Sequence, residues 1–239
     1  MGIAHNADTK EASGWLQRMA TFWLGSPLNM SLLPKIVLAS ASPARKLLLQ
    51  NIGINPLIQI SNVDEPAAEL ENGWTTPTEI AQGLAKLKAQ DIANGLIGES
   101  IVIGCDSVME FAGRPYGKPK DAAEAAQRLR EMSGGSGFLH TGHSVALVTA
   151  NDTRWAHALC TTEVFFHELN DAEIHSYIAT GEPLKVAGSF TIDSLGGPFI
   201  KSINGDAANV VGLSVQTLRA LFFELGIGWD KVLSQVTAK

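Results

Sequence analysis

Helix starts and stops are spelled out along this chain, and the apolar segments between them read as strands. Ser42 is a good N-cap, Pro43 fits the first helical position and Gly53 can end the helix. Thr76-Pro77-Thr78-Glu79 is a capping box opening a helix to about Asn94, with Gly95 as its stop. Asp121-Ala122-Ala123-Glu124 repeats the pattern for a helix closing at Ser133-Gly134-Gly135. A helix over Asp171–Thr180 stops at Gly181, and Ser214 caps a last one carrying Leu218, Leu221, Phe222 and Leu225 before Gly226. Strands are expected over Ile36–Ala39, Leu57–Ile60, Glu99–Val108, Ser144–Thr149, Thr161–Phe166, Ser189–Ile192 and Phe199–Ile203. Ala67–Thr75 and Gly113–Pro119 read as loops, and Gly134-Gly135-Ser136-Gly137 as a flexible turn. Strands alternating with helices, some strands adjacent, predict an α/β fold on a mixed sheet.

With 239 residues, 45% of them hydrophobic, the chain can bury one globular core. A net charge of −6 argues against a general nucleic-acid or membrane-surface role, while leaving room for a local basic pocket. Cys105 and Cys160 match no zinc or redox spacing and read as reduced, buried thiols. No apolar run is long enough to span a bilayer, so a cytoplasmic location is expected. Residues 1–34 form an extension in which Trp15, Leu16, Met19, Phe22, Trp23 and Leu24 are spaced for a short amphipathic helix. The early acids Asp8 and Glu11 disfavour a secretory or transit peptide, and Met30 is an alternative start. Residues 35–228 make the main domain and 229–239 a tail.

The chemistry gathers around Ser40-Ala41-Ser42-Pro43-Ala44-Arg45, between the first strand and its helix. A capped helix start presents backbone N–H groups and a dipole that attract anions. Two hydroxyls and a forked guanidinium there suit phosphate, against the plainer reading of a capped helix with a surface arginine. Lys88 falls on or beside the apolar face with Leu84, Ala85 and Ile92, where it either snorkels to water or meets an anion. Asp106 ends the run Ile101-Val102-Ile103-Gly104-Cys105, where a carboxylate can hold a metal, accept a proton from water or cap the next turn. Lys118 stands in a turn before a helix, Asp64-Glu65 is a carboxylate pair on a loop, and Asp193 faces either a pocket or solvent. Together these form the inventory for metal-assisted attack of water on a polyphosphate. The familiar glycine-rich phosphate loops are absent, and His140 and His143 lack a matching ligand set.

In order and spacing, these segments resemble the Maf family of nucleoside triphosphate pyrophosphatases. The resemblance runs through Leu38–Arg45, Val63-Asp64-Glu65, Leu84–Ala89, Gly104–Ser107, Gly117-Lys118-Pro119, Ala187–Phe190 and Gly205–Leu213, covering about Lys35 to Gly226. It implies an inosine triphosphate pyrophosphatase-like (Maf/Ham) fold: a mixed sheet flanked by helices, with a central cleft. It also implies cleavage between the α- and β-phosphates of a noncanonical or surplus nucleotide with a divalent cation, magnesium or manganese. By the resemblance, Asp106 is the proton acceptor and Glu65 an acidic metal-site or water-positioning residue, both in reach of the metal. Arg45, Lys88 and Lys118 bind phosphate, and Ser40 and Ser42 donate to it. Ala44, Ser107 and Asp193 occupy the positions that separate the pyrimidine branch (Arg, Thr and Gln) from the 7-methylguanosine branch (Trp, Gln and Glu), and match neither. The resemblance is compatible with a homodimer. The competing reading is a nucleotide-binding regulator of cell division and septum formation that needs no turnover.

Overall fold

The computed structural model describes residues 33–237; the expectations for the N-terminal extension, its amphipathic segment and Met30 lie outside the described residues. The strands are β1 (Lys35–Leu38), β2 (Leu57–Ile58), β3 (Ser100–Phe111), β4 (Arg114–Tyr116), β5 (Ser136–Val148), β6 (Thr153–Phe166) and β7 (Ile200–Asn204). They form a seven-stranded mixed sheet in the order β2-β1-β3-β5-β6-β7, with β4 folded back on β3. β1 is parallel to β2 and β3, and the remaining pairs are antiparallel. The helices are α1 (Pro43–Asn51), α2 (Glu65–Asn72), α3 (Pro77–Asn94), α4 (Ala122–Met132), α5 (Asp171–Ala179), α6 (Ala207–Val211), α7 (Val215–Glu224) and α8 (Trp229–Thr237). Among the described residues, no helix is long and apolar enough to cross a membrane.

The expected α/β architecture is present, and its caps work as read. Ser42 Oγ accepts from Arg45 N–H, Thr76 and Glu79 close their box, and Ser214 Oγ accepts from Thr217 N–H. Several elements differ from expectation. The Ala67–Thr75 loop is largely α2, capped by Asp64 accepting from Ala67 N–H and stopped by left-handed Gly73. The Gly113–Pro119 loop contains β4. Ser136 and Gly137 belong to β5, not to a turn; a Cβ on Gly137 would meet the Glu110 carbonyl, so this glycine permits close strand approach. Ser189–Ile192 is no strand, because Gly188 and Ser189 both take left-handed backbone, at φ 71° and 63°. The 229–239 tail is mostly α8, and its Val232 is buried in the main core. Cys160 is only half-buried on β6.

Two apolar clusters share one face of the sheet. Ile101, Ile103 and Cys105 of β3 pack with Leu218, Leu221 and Phe222 of α7. Further along, Met109 packs with Leu129 and Met132 of α4 and with Ile174 and Tyr177 of α5. Ser107 lies in the seam between Cys105 and Met109 on this face, and Asp106 faces the other way. On the opposite face α3 lies flat against the sheet, because Gly104 and Gly142 present no side chain to it. A Cβ on Gly104 would stand 2.8 Å from Ala89 Cβ and meet the Ala85 carbonyl; one on Gly142 would meet the Ala81 carbonyl. Neither backbone can yield without lifting the helix. Gly104→Ala is therefore expected to destabilise the fold by about 2–3 kcal/mol through overpacking, seen as a lowered midpoint in thermal unfolding; an unchanged midpoint would show that α3 is not held by this approach.

Candidate active site

The flat seating of α3 brings Lys88 to β3. Lys88 lies between Leu84 of one apolar cluster and Ala89 of another, and its side chain is 11% exposed. Rather than reaching water, its Nζ pairs with Asp106 Oδ1 at 2.5 Å and with Glu65 Oε1 at 2.7 Å. Asp64, the other half of that carboxylate pair, serves as the α2 cap. Burial raises the Asp106 pKa above the usual carboxylate value, against the pull of Lys88 and Arg45. Glu69, one turn beyond Glu65 on α2, is also raised, by burial and then by the charges of Asp106 and Glu65. No sequence pattern marked Glu69.

Arg45 is bound to the protein through all three of its nitrogens. Nε donates to Gly212 O at 2.8 Å, Nη1 to Cys105 O at 2.8 Å and Ser40 Oγ at 3.2 Å, and Nη2 to Ser107 Oγ at 3.0 Å. A guanidinium has five N–H donors, so this leaves one for a ligand. Ser40 Oγ also accepts from Ser42 N–H. Each serine oxygen is thus occupied as an acceptor, and each hydroxyl proton is free to donate. Ser107 is differently placed. Its oxygen accepts from Arg45, and it meets Thr141 Oγ1 at 2.9 Å, which donates to Asn209 O. That direction consumes the Ser107 proton within the protein. Ala44 is half-buried beside Arg45 on α1, and Asp193 is exposed.

Lys118 is exposed and makes no side-chain hydrogen bond or ion pair with the described residues. The structure therefore joins Lys88 to Asp106 directly and Arg45 to its strand through Cys105 and Ser107. Lys118 stands on a neighbouring turn.

His143 is buried within the same layer. Its Nε2 accepts from Ser214 N–H at 2.8 Å, so Nδ1 carries the proton and donates to Thr141 O. Burial, with a contribution from Arg45, pushes its pKa down to about 4, so it is neutral at physiological pH and ties β5 to the start of α7. Burial pushes the Cys105 thiol up to about 11, which removes it as a nucleophile. Among the described residues no group of three or more His, Cys, Asp or Glu side chains is arranged to hold a metal.

Glu182 organises the segment that carries Asp193. It accepts from Tyr177 Oη at 2.9 Å, from Thr191 Oγ1 at 2.5 Å and from the Leu195 and Gly196 N–H groups. Burial alone would raise its pKa, but hydrogen bonds from Thr191, Ser194, Tyr177 and Leu195 outweigh it and hold the carboxyl at about 2. Sequence pattern missed this hub, since its partners are polar residues with no periodicity.

Residues 35–225 match the family of Maf-like proteins, and the chain belongs to that family. It is 48% identical over 204 residues to the nucleoside triphosphate pyrophosphatase of Salinispora tropica, spanning 84% of this chain and 88% of that protein. It is 46% identical over 192 residues to the nucleoside triphosphate pyrophosphatase of a Cyanothece species, spanning 80% of this chain and 95% of the relative. A third relative of the same name, from Leifsonia xyli, is 45% identical over 206 residues, spanning 83% and 96%.

Two outcomes follow. The Lys88 charge favours the ionised Asp106, so Lys88→Met is expected to move the Asp106 titration to still higher pH, read by 13C NMR of labelled aspartate; an unchanged or lowered midpoint would break the proposed coupling. Glu182 has a depressed pKa, so its contribution to stability is complete above its unfolded value of 4.5 and is lost as pH falls towards about 2. Glu182→Gln is expected to lower the thermal midpoint at neutral pH, with the difference from the unsubstituted protein shrinking across that window; a constant difference would rule out the charged form as the anchor.

Proposed function

We propose that this protein hydrolyses nucleoside triphosphates between the α- and β-phosphates, releasing a monophosphate and pyrophosphate. The observation that carries the reading is the buried Lys88–Asp106 pair beside the Arg45-organised serine turn. Relatives named for this activity span four-fifths of the chain or more. Asp106 is the proton acceptor. Its raised pKa makes its carboxylate more basic than an exposed one, which suits it to take a proton from water. The water oxygen bonds to the α-phosphorus as the bridging bond to the β-phosphate breaks, and pyrophosphate leaves. Ser40, Ser42, the start of α1 and the remaining Arg45 N–H donate to phosphate oxygens, and Lys88 and Lys118 supply positive charge as the leaving group gains its own.

A divalent cation belongs to the proposal. Asp106 and Glu65 share one ammonium, and such a two-carboxylate set fits magnesium or manganese, which take one or two carboxylates and complete their shell with phosphate oxygens and water. Bound there, the cation would screen the triphosphate charge. Ala44, Ser107 and Asp193 are the positions from which base choice is expected, while a homodimer and a cytoplasmic location rest on the family resemblance and on the expected lack of a membrane span.

The test is pyrophosphate release from a panel of nucleoside triphosphates, with and without magnesium or manganese. Asp106→Asn is expected to cut turnover by at least about a hundredfold, while an α,β-methylene triphosphate still binds within a few-fold of the original affinity. Full turnover in that variant would remove Asp106 from the chemistry. Nucleotide binding without pyrophosphate release by the unsubstituted protein would favour a regulator instead, and orthophosphate release a general phosphatase.

A further inference from the structure

Lys118 is untethered, yet the turn that carries it is not. Antiparallel pairing of β3 and β4 ends with Met109 against Tyr116, so Lys118 comes two residues after the last paired residue of β4, and Asp106 three residues before the last paired residue of β3. Strand pairing ends at Tyr116, so other bonds must hold the turn. Arg128 of α4, 12% exposed, provides them. Its Nη1 donates to Gly117 O at 2.6 Å, and its Nη2 pairs with Glu124 Oε1 at 2.7 Å. Its guanidinium carbon lies 4.8 Å from the centre of the Tyr116 ring. Glu124 Oε2 in turn accepts from Lys120 N–H at 2.8 Å. One Arg–Glu pair therefore grips the backbone on both sides of Lys118.

A second hold comes from the segment around Gly188. Gly188 N–H donates to the same Gly117 carbonyl at 3.2 Å. A Cβ on Gly188 would stand 2.8 Å from Met109 Cβ, so this residue is wedged against β3. The following Ser189 is fully buried and left-handed, and its hydroxyl has no partner. A serine persists in that conformation only where surrounding packing imposes it.

We propose that Arg128 is a positioning residue: by gripping Gly117 and Glu124 it aims the Lys118 ammonium at the substrate's phosphates. This rests on the reading of Lys118 as a phosphate-binding cation. The test is a double-mutant cycle over the unsubstituted protein, Arg128→Ala, Lys118→Ala and the double variant. It reads the dissociation constant for inorganic pyrophosphate, KM and kcat for pyrophosphate release, and the thermal midpoint. Arg128→Ala is expected to weaken pyrophosphate binding about fivefold and to raise KM more than it lowers kcat, whereas in the Lys118→Ala background it costs less than about twofold. Arg128→Lys, which keeps a cationic donor at this position, is expected to recover part of the loss. If Arg128→Ala does not fold, Glu124→Gln, which loosens the same grip, carries the cycle. Equal losses in both backgrounds would make Arg128 merely structural and overturn the proposal. Undiminished affinity in Arg128→Ala, with weakened affinity in Lys118→Ala, would overturn it and leave the phosphate reading standing. Undiminished affinity in Lys118→Ala would overturn both.

Discussion

A lysine buried on the sheet-facing side of a helix must find a negative charge. Carrying an unpaired ammonium into an apolar layer costs several kcal/mol, and so does an unpaired carboxylate within a covered strand. Lys88 and Asp106 each relieve the other's cost, but only at contact distance. Contact requires α3 to lie flat on β3 and β5, and that requires positions without side chains beneath it. Gly104 and Gly142 are those positions, paired respectively with Ser144 and Asp106 across the same two strands. The glycines and the charged residues are one constraint expressed twice. A residue that lifts the helix would separate the pair without touching either charge.

The same geometry explains why the polar residues lie where they do. β3, β5 and β6 are long enough to run through two apolar clusters on one face of the sheet. Between the clusters the strands place Ser107, Thr141 and His143 on that face and Asp106 with Gly142 on the other, and each polar side chain there is hydrogen-bonded within the protein. The chain from Arg45 through Ser107 and Thr141 to Asn209 crosses the strands and ends on α6. His143 extends it to the α7 cap. A polar belt of this kind costs stability wherever a partner is missing. Its confinement to the seam keeps both apolar clusters intact.

Helix ends were the legible part of the sequence because capping is local: Ser42, Thr76, Asp121 and Ser214 each act within a few residues of themselves. The seam was harder to read for the same reason that it works. Asp106 looks like the end of a strand because it breaks an apolar run, yet β3 continues to Phe111, and β5 and β6 likewise run through their polar stretches. α2 was missed although Asp64 and Gly73 are ordinary helix signals, since its exposed face carries no apolar stripe. Candidate residues could be named from type and pattern, but not their partners. Arg45 meets Gly212 across 167 residues of chain, and nothing near Arg45 in sequence announces that bond. The Glu182 hub and the Arg128 grip are hidden likewise, because Glu182 gathers polar residues that share no periodicity and Arg128 holds a backbone carbonyl whose residue is a glycine.

The way the cations are held argues for a division of labour among them. Arg45 has most of its donors committed to protein oxygens, and Lys88 is shared by two carboxylates. Neither can reorient much when a charged ligand arrives, so their fields are fixed before binding, the condition under which electrostatic stabilisation of a developing charge is most effective. Their fixity also leaves a deficit. On the proposed reading, with both carboxylates ionised, Lys88, Glu65 and Asp106 would together present a net negative group to an approaching triphosphate. Positive charge must therefore come from elsewhere as the ligand enters. On the proposed reading it would come from Lys118, whose backbone is gripped while its side chain makes no bond to the described residues, and from a divalent cation held by Asp106 and Glu65. A site with anchored charges for the transition state and one adaptable charge for capture would bind phosphates without giving up the geometry that the buried pair enforces.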